Sequence, residues 1–264
     1  MTQSKTGLKI SIKTEEKDFS NFKEGDGIKI TGHGGKFDAE GSYVIQKKLD
    51  EKSIVVIGIV DETIETEKFT ISRKMPNLQF ICESNNRLWG CGYSYDNTIY
   101  ASKLGDFKNW EVFQGVSTDS YALSVGTAGM FTGAISYMGY PTFFKKNEIL
   151  QIYGAMPSQY QLQTTTCESV QKNNAVSIMS DKLVYKADSA VMLFGGAYPT
   201  KISNALGMQY FTDAIVASVN NKTYIAMSNI EGQSLFVYNA IHNSWHREDF
   251  IPAEDIEERG IVEM

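Results

Sequence analysis

From Leu78 onward the chain runs in short apolar stretches broken by polar turns, and Phe80 to Phe113 sets the rhythm. Phe80-Ile81-Cys82 and Leu88-Trp89-Gly90-Cys91 flank a polar Asn85-Asn86 pair. Thr98-Ile99-Tyr100-Ala101 follows a Ser-Tyr-Asp-Asn loop, and Trp110-Glu111-Val112-Phe113 follows Gly105-Asp106. Runs rich in β-branched and aromatic residues, bounded by Asn, Asp and Gly, predict strands joined by turns. Four in succession predict one four-stranded antiparallel unit, the size of a β-propeller blade. With Asn85-Asn86 as the turn, Cys82 falls opposite Trp89 rather than Cys91.

The pattern then recurs. Tyr121 to Val125 either closes the first unit or leads into the second. Phe131–Tyr137, Pro141–Lys145, Glu148–Gly154 and Tyr160–Thr165 make the second, with turns at Met138-Gly139 and Lys146-Asn147. Ala175–Met179, Lys182–Lys186, Ala190–Phe194 and Pro199–Ser203 make the third, turning at Ser180-Asp181, and a helical turn fits within Ser203 to Phe211. Asp213–Val219, Thr223–Met227, Ser234–Asn239 and Trp245–Glu248 make the fourth, turning at Asn220-Asn221 and Glu231-Gly232. A repeat of about forty residues is the propeller period, and radial stacking buries sheet faces that would otherwise stay wet. Gly260 to Met264 resembles the opening strand of one more blade. About four blades leave three arrangements open: an incomplete ring, an arc completed by residues outside this chain, or closure through the N-terminal strands.

Residues 1–74 carry a different pattern. Leu8 to Lys13 alternates, as does Gly27 to Thr31; Gly41–Gln46 and Ile54–Gly58 are further strands, and Thr63 to Ile71 closes the region. About six short strands without a helical period predict a small β-barrel or sandwich-like domain. Met75-Pro76-Asn77 marks the boundary, because proline ends a strand or starts a new segment. The fold class is therefore all-β: a small β domain over 1–74, then propeller-type blades of four antiparallel strands over 75–264.

Composition and charge narrow the chemistry. The 264 residues carry a net charge of −6 with both signs interspersed, so no basic stripe offers a surface for nucleic acid. The first residues, MTQSKTGLKI, lack an apolar signal core, and no apolar run is long enough to span a bilayer. Synthesis in the cytoplasm as a soluble protein is expected. Cys82, Cys91 and Cys167 are odd in number and irregularly spaced, which predicts buried small side chains rather than a disulfide framework.

Candidate catalytic groups all have simpler explanations. Gly32-His33-Gly34-Gly35-Lys36 lacks the phosphate-loop spacing and reads as a hairpin tip. His242 and His246 are four apart, but on a strand that separates them by about 13 Å, too far for one metal. Asp96, Asp106, Asp119, Asp181, Asp188 and Asp213 sit in or beside turns, where they bond the local backbone. Gly-x-Ser-x-Gly is absent, and the Ser-x-Asp-x-Gly-x-x-Trp order of sialidases is not met. Trp89, Trp110 and Trp245, in predicted strands at matching places, read as packing residues. The polar stretches Gly115–Gly129 and Ser158–Asn173 are the rims where a partner would dock. No catalytic residue, cofactor or metal site is expected.

The run MPNLQFICESNNRLWGC, then TIYASKLGDFKNW, then GAISYMGYPTFFKKNEILQIYG, resembles propeller-bearing structural proteins encoded in phages and prophages of Gram-positive bacteria. Asn86 to Gly90, Tyr100 to Asp106 and Asn109-Trp110 carry most of the resemblance, which covers about Leu78 to Asp249. It implies a tail, hub or adaptor protein of the virion that forms homo-oligomers and contacts other virion proteins. The alternative is a receptor- or glycan-binding propeller that reaches a host-surface glycan through Tyr93, Tyr95, Tyr140 and Tyr198.

Overall fold

The computed structural model describes residues 2–3, 9–14, 18–32, 41–57, 69–207 and 210–258. The expected hairpin tip around His33, part of the Thr63 to Ile71 segment and the strand at Gly260 to Met264 lie outside these residues.

The N-terminal part is one six-stranded antiparallel sheet of β1 (Thr2–Gln3), β2 (Lys9–Lys13), β3 (Gly27–Gly32), β4 (Gly41–Asp50), β5 (Ser53–Ile57) and β6 (Phe69–Ser72), in the order β1-β2-β5-β4-β3-β6. Ile28 and Ile30 on β3 join Ile45, Ile54, Val56 and Phe19 in its core. The alternation along β3 decides which face is wet: Lys29 lies exposed between the two isoleucines.

Four four-stranded antiparallel sheets follow, each from one continuous piece of chain. The first holds β7 (Leu78–Ser84), β8 (Arg87–Gly92), β9 (Thr98–Ala101) and β10 (Tyr121–Ser124). The second holds β11 (Phe131–Tyr137), β12 (Tyr140–Lys145), β13 (Glu148–Tyr153) and β14 (Gln161–Thr166). The third holds β15 (Val176–Met179), β16 (Lys182–Lys186), β17 (Val191–Phe194) and β18 (Thr200–Lys201). The fourth holds β19 (Asp213–Val219), β20 (Lys222–Asn229), β21 (Gly232–Asn239) and β22 (Ser244–Pro252), followed by the short helix α1 (Ala253–Glu258). A 3₁₀ turn spans Ser203–Leu206 within the expected helical segment.

Register agrees with the hydrophobic pattern. Cys82 pairs with Trp89 across the Asn85-Asn86 turn. Both asparagines have φ near +55° (54° and 57°), which asparagine tolerates through local side-chain bonding. The expected fourth strand of the first sheet is a correction. Trp110 to Phe113 is not a strand, and β10 takes the place beside β9. Trp110 and Val112 are buried, which produces the alternation, but the Val112 N–H donates to the Ser120 hydroxyl instead of a neighbouring strand. Three further corrections follow. Trp89, Trp110 and Trp245 do not occupy matching places, since they lie in β8, a loop and β22. The expected rims Gly115–Gly129 and Ser158–Asn173 contain the fourth strands β10 and β14. The last sheet's second turn falls one residue early, at Ile230-Glu231, with Asn229 paired to Gly232.

Adjacent sheets pack face to face, with β7 against β11 and β15 against β19. Trp89, Cys91 and Ile99 of the first sheet pack with Phe131, Phe143 and Leu150 of the second. The Trp89 ring meets Tyr160 edge-on at 5.1 Å. A second core runs from Tyr137 and Phe144 through Tyr185 and Phe194 to Ile225, Phe236 and Tyr238, uniting the second, third and fourth sheets.

Candidate functional site

The turns that join first and second strands line one end of the array. They are Asn85-Asn86, Met138-Gly139, Ser180-Asp181 and Asn220-Asn221. Each touches the next. The Ser84 hydroxyl and the Asn85 amide donate to the Gly139 carbonyl at 2.6 and 3.2 Å. The Tyr137 hydroxyl donates to the Asp181 carbonyl at 2.7 Å, and the Ser180 hydroxyl to the Asn221 side-chain oxygen at 2.9 Å.

The opposite end is stitched by charge. Lys146 pairs with Asp188 at 3.2 Å, and Lys172 with Asp213 at 2.8 Å. Lys145, at the end of β12, is buried; its ammonium donates to the Asn97 side chain at 3.0 Å and the Thr127 carbonyl at 2.6 Å. It also lies 5.0 Å from the centre of the Phe131 ring. Lys186 ends β16 in the same way, buried and donating to the carbonyls of Ala187 and Asp188. Burial pulls both ammonium groups below the ordinary lysine range, with Glu148 near Lys145 and Asp188 near Lys186 pulling the other way.

The connection between β9 and β10 is held from inside by Arg87. Its guanidinium, buried at the start of β8, donates to the carbonyls of Ser102, Ser117 and Asp119. The Asp119 carboxylate accepts the backbone N–H groups of Gln114, Gly115 and Val116. This braced loop carries the clasp to the N-terminal sheet. The Asn109 side-chain oxygen accepts the Gly27 N–H at 2.9 Å, and its amide donates to Asp26 at 3.0 Å and Asp106 at 2.9 Å. The buried Asp26 carboxylate also receives Arg73 at 2.9 Å, and Lys23 pairs with Asp106 at 2.8 Å. Burial opposes ionisation of Asp106, yet Lys23, Asn109 and the Lys108 N–H together hold its carboxyl below the usual range. The Asp106 hydrogen bond raises Lys23. This cluster of matched charges is a structural joint: every anion in it already has a cation or amide donor.

The four tyrosines singled out from sequence fall into two groups. Tyr93 and Tyr95 lie on the β8–β9 connection, at the charged end, and Tyr95 is 87% exposed. Tyr140 opens β12 at the turn end, its ring 4.4 Å from that of Tyr153, and Tyr198 lies exposed on the β17–β18 connection at the same end. The two pairs therefore belong to opposite ends and do not form one platform. Other large apolar side chains also stand out on connections, among them Ile230 at 94% exposure, Ile241 and Phe107.

Sequence reasoning missed Arg87, Asn109, Asp26 and the buried lysines. A basic residue beside an Asn-Asn turn looks solvent-facing, and with Trp110 to Phe113 read as a strand, no long connection remained whose carbonyls would call for an internal donor. Among the described residues, no group of three His, Cys, Asp or Glu gathers as a metal site, and no helix is long and apolar enough to cross a membrane. No family model matches the chain, and no curated protein matches it.

Proposed function

We propose that this chain is a structural component of a bacteriophage particle, built on β-propeller blades and acting through protein–protein assembly as a tail, hub or adaptor element. The observation that carries the reading is the build of the array. Four sheets are packed face to face and stitched at both ends, while Tyr95, Tyr198, Ile230 and Ile241 stand exposed on their connections. A stiff scaffold with apolar tips holds neighbouring proteins at a fixed spacing. The sheets act as blades whose first strands lie innermost, consistent with the packing of β7 on β11 and β15 on β19. The resemblance at Asn86 to Gly90 and Tyr100 to Asp106 supports the virion setting.

The test is mass spectrometry on density-purified particles from a host carrying the gene, with immunogold labelling to position the chain. A stoichiometric signal at one place on the particle is expected. Absence from purified particles overturns the reading.

The exposed Tyr93 and Tyr95, two positions apart on one connection, favour a second reading, recognition of a receptor or glycan at the charged end. Glycan-array binding that is lost in Tyr95→Ala separates it from the first.

A further inference from the structure

Each inner sheet of the array has a neighbouring sheet packed on either side, whereas among the described residues the first and fourth sheets each have only one such neighbour in the array. On β19 and β20, Ala214, Val216, Ile225 and Met227 point into the shared core. Cross-strand partners share a face. The opposite face of the fourth sheet therefore carries Ile215, Val219 and Tyr224, beside half-buried Leu235 on β21. Val219 is 60% exposed. On the first sheet Cys82, Trp89 and Ile99 face the second sheet, leaving Ile81, Leu88 and Tyr100 on the open face, with Leu78 lying over Gly90. Ile81 is 58% exposed. Among the described residues, no hydrogen bond and no hydrophobic cluster joins the fourth sheet to the first.

We infer that these two faces dock on each other between two copies of the chain, the fourth sheet of each covering the first sheet of the other, so that two chains close a ring of eight blades. The inference rests on the propeller reading above and names its partner and stoichiometry. Three observations select a second copy. The interface continues one the molecule already makes three times, an apolar face of one sheet against that of the next. Charge matches: exposed Lys222 directly follows the Asn220-Asn221 turn on the open face of the fourth sheet. Exposed Glu83 lies beside the Asn85-Asn86 turn on the open face of the first. The turns of neighbouring sheets lie side by side throughout the array, so docking brings Lys222 against Glu83. Number matches as well, because propellers close with about four to eight blades, so two copies of four fit and three do not.

The test is light scattering on the purified full chain across a concentration series, beside the variants Ile81→Glu, Val219→Glu, Glu83→Lys, Lys222→Glu and the last two combined. Wild type is expected at twice the 29.5 kDa of one chain. Ile81→Glu and Val219→Glu each put an unpaired carboxylate into the interface and should weaken the dimer about 100-fold or more. Both sites are exposed in the single chain, so circular dichroism should show an unchanged fold. Each single charge swap should weaken the dimer about five-fold, and the combined swap should restore it. A monomeric wild type, an oligomer that keeps growing with concentration, or a dimer indifferent to Ile81→Glu and Val219→Glu overturns the inference. A monomer that is still found in purified particles overturns the dimer while leaving the assembly reading intact.

Discussion

Asn109 and Asp26, 83 positions apart, meet at 3.0 Å where the first four-stranded sheet joins the N-terminal sheet. Both are buried, and the same asparagine also receives the Gly27 N–H. One side chain thus satisfies a carboxylate and a backbone donor from the other half of the chain. Asn109→Ala leaves both without their Asn109 partner and should cost about 2–4 kcal/mol. Chemical denaturation measures the loss, and limited proteolysis should show early cutting between Ser72 and Leu78.

The clasp should weaken in acid. The Asp106 carboxyl titrates below its ordinary 3.8 in the folded chain. The unfolded chain therefore takes up the proton first, and the contribution present above that value is lost as pH falls through the folded pKa. Lys23 works from the other side: raised above 10.5, it contributes below that pH and stops as pH climbs through its folded value. Melting temperature against pH should show a shallower acid limb in Asp106→Asn than in the wild type.

Lys145 and Lys186 act in the opposite sense in alkali. Their folded pKa values lie below 10.5, so between the folded value and 10.5 the unfolded chain holds more protons. Stability from these groups rises with pH across that window. The double variant Lys145→Met, Lys186→Met should lose that rise, read as melting temperature from neutral to alkaline pH.

Thiol chemistry offers a separate check. Burial pushes Cys82 and Cys91 up to about 12 and raises Cys167. The thiolate is the reactive form. A chromogenic disulfide reagent at neutral pH should leave the native chain nearly untouched and react with all three cysteines after denaturation.

Met138 holds a left-handed backbone conformation with φ of 52° in an exposed turn. A long side chain gains nothing there. Met138→Asn should stabilise the chain by about 0.5–1 kcal/mol, since asparagine enters this region at lower cost. Thermal denaturation reads the gain, and a loss would show that Met138 packs on a neighbour.

The hairpins were legible in the sequence because their information is local. Asn85-Asn86 fixes a turn, and the turn fixes Cys82 opposite Trp89. The same locality misled at Trp110 to Phe113. A loop pinned by buried Trp110 and Val112 alternates like a strand, and nothing nearby reveals that its N–H groups bond side chains. The clasp was invisible for a physical reason: Asp26 sits between two glycines and Asn109 follows the Gly105-Asp106 turn by three residues, so both read as turn formers. Their meeting depends on how two sheets are set against each other. Tyr93, Tyr95 and Tyr198 were recognisable as exposed loop residues, whereas Tyr140 is half-buried in β12 against Tyr153, and the end of the array each occupies follows from strand direction, which composition does not carry.

Every ladder in the array closes within its own stretch of chain, and no strand from β7 to β22 waits for a partner in another sheet. On a ribosome each unit can finish its pairing before the next has left the exit tunnel, and its exposed face then serves as a template for the following one. Folding should run from the amino end in steps, with no strand left long without its partner in the same sheet. Inserting or deleting a whole unit would leave the pairing inside every other unit unchanged, so arrays of this kind are free to change length by gene duplication.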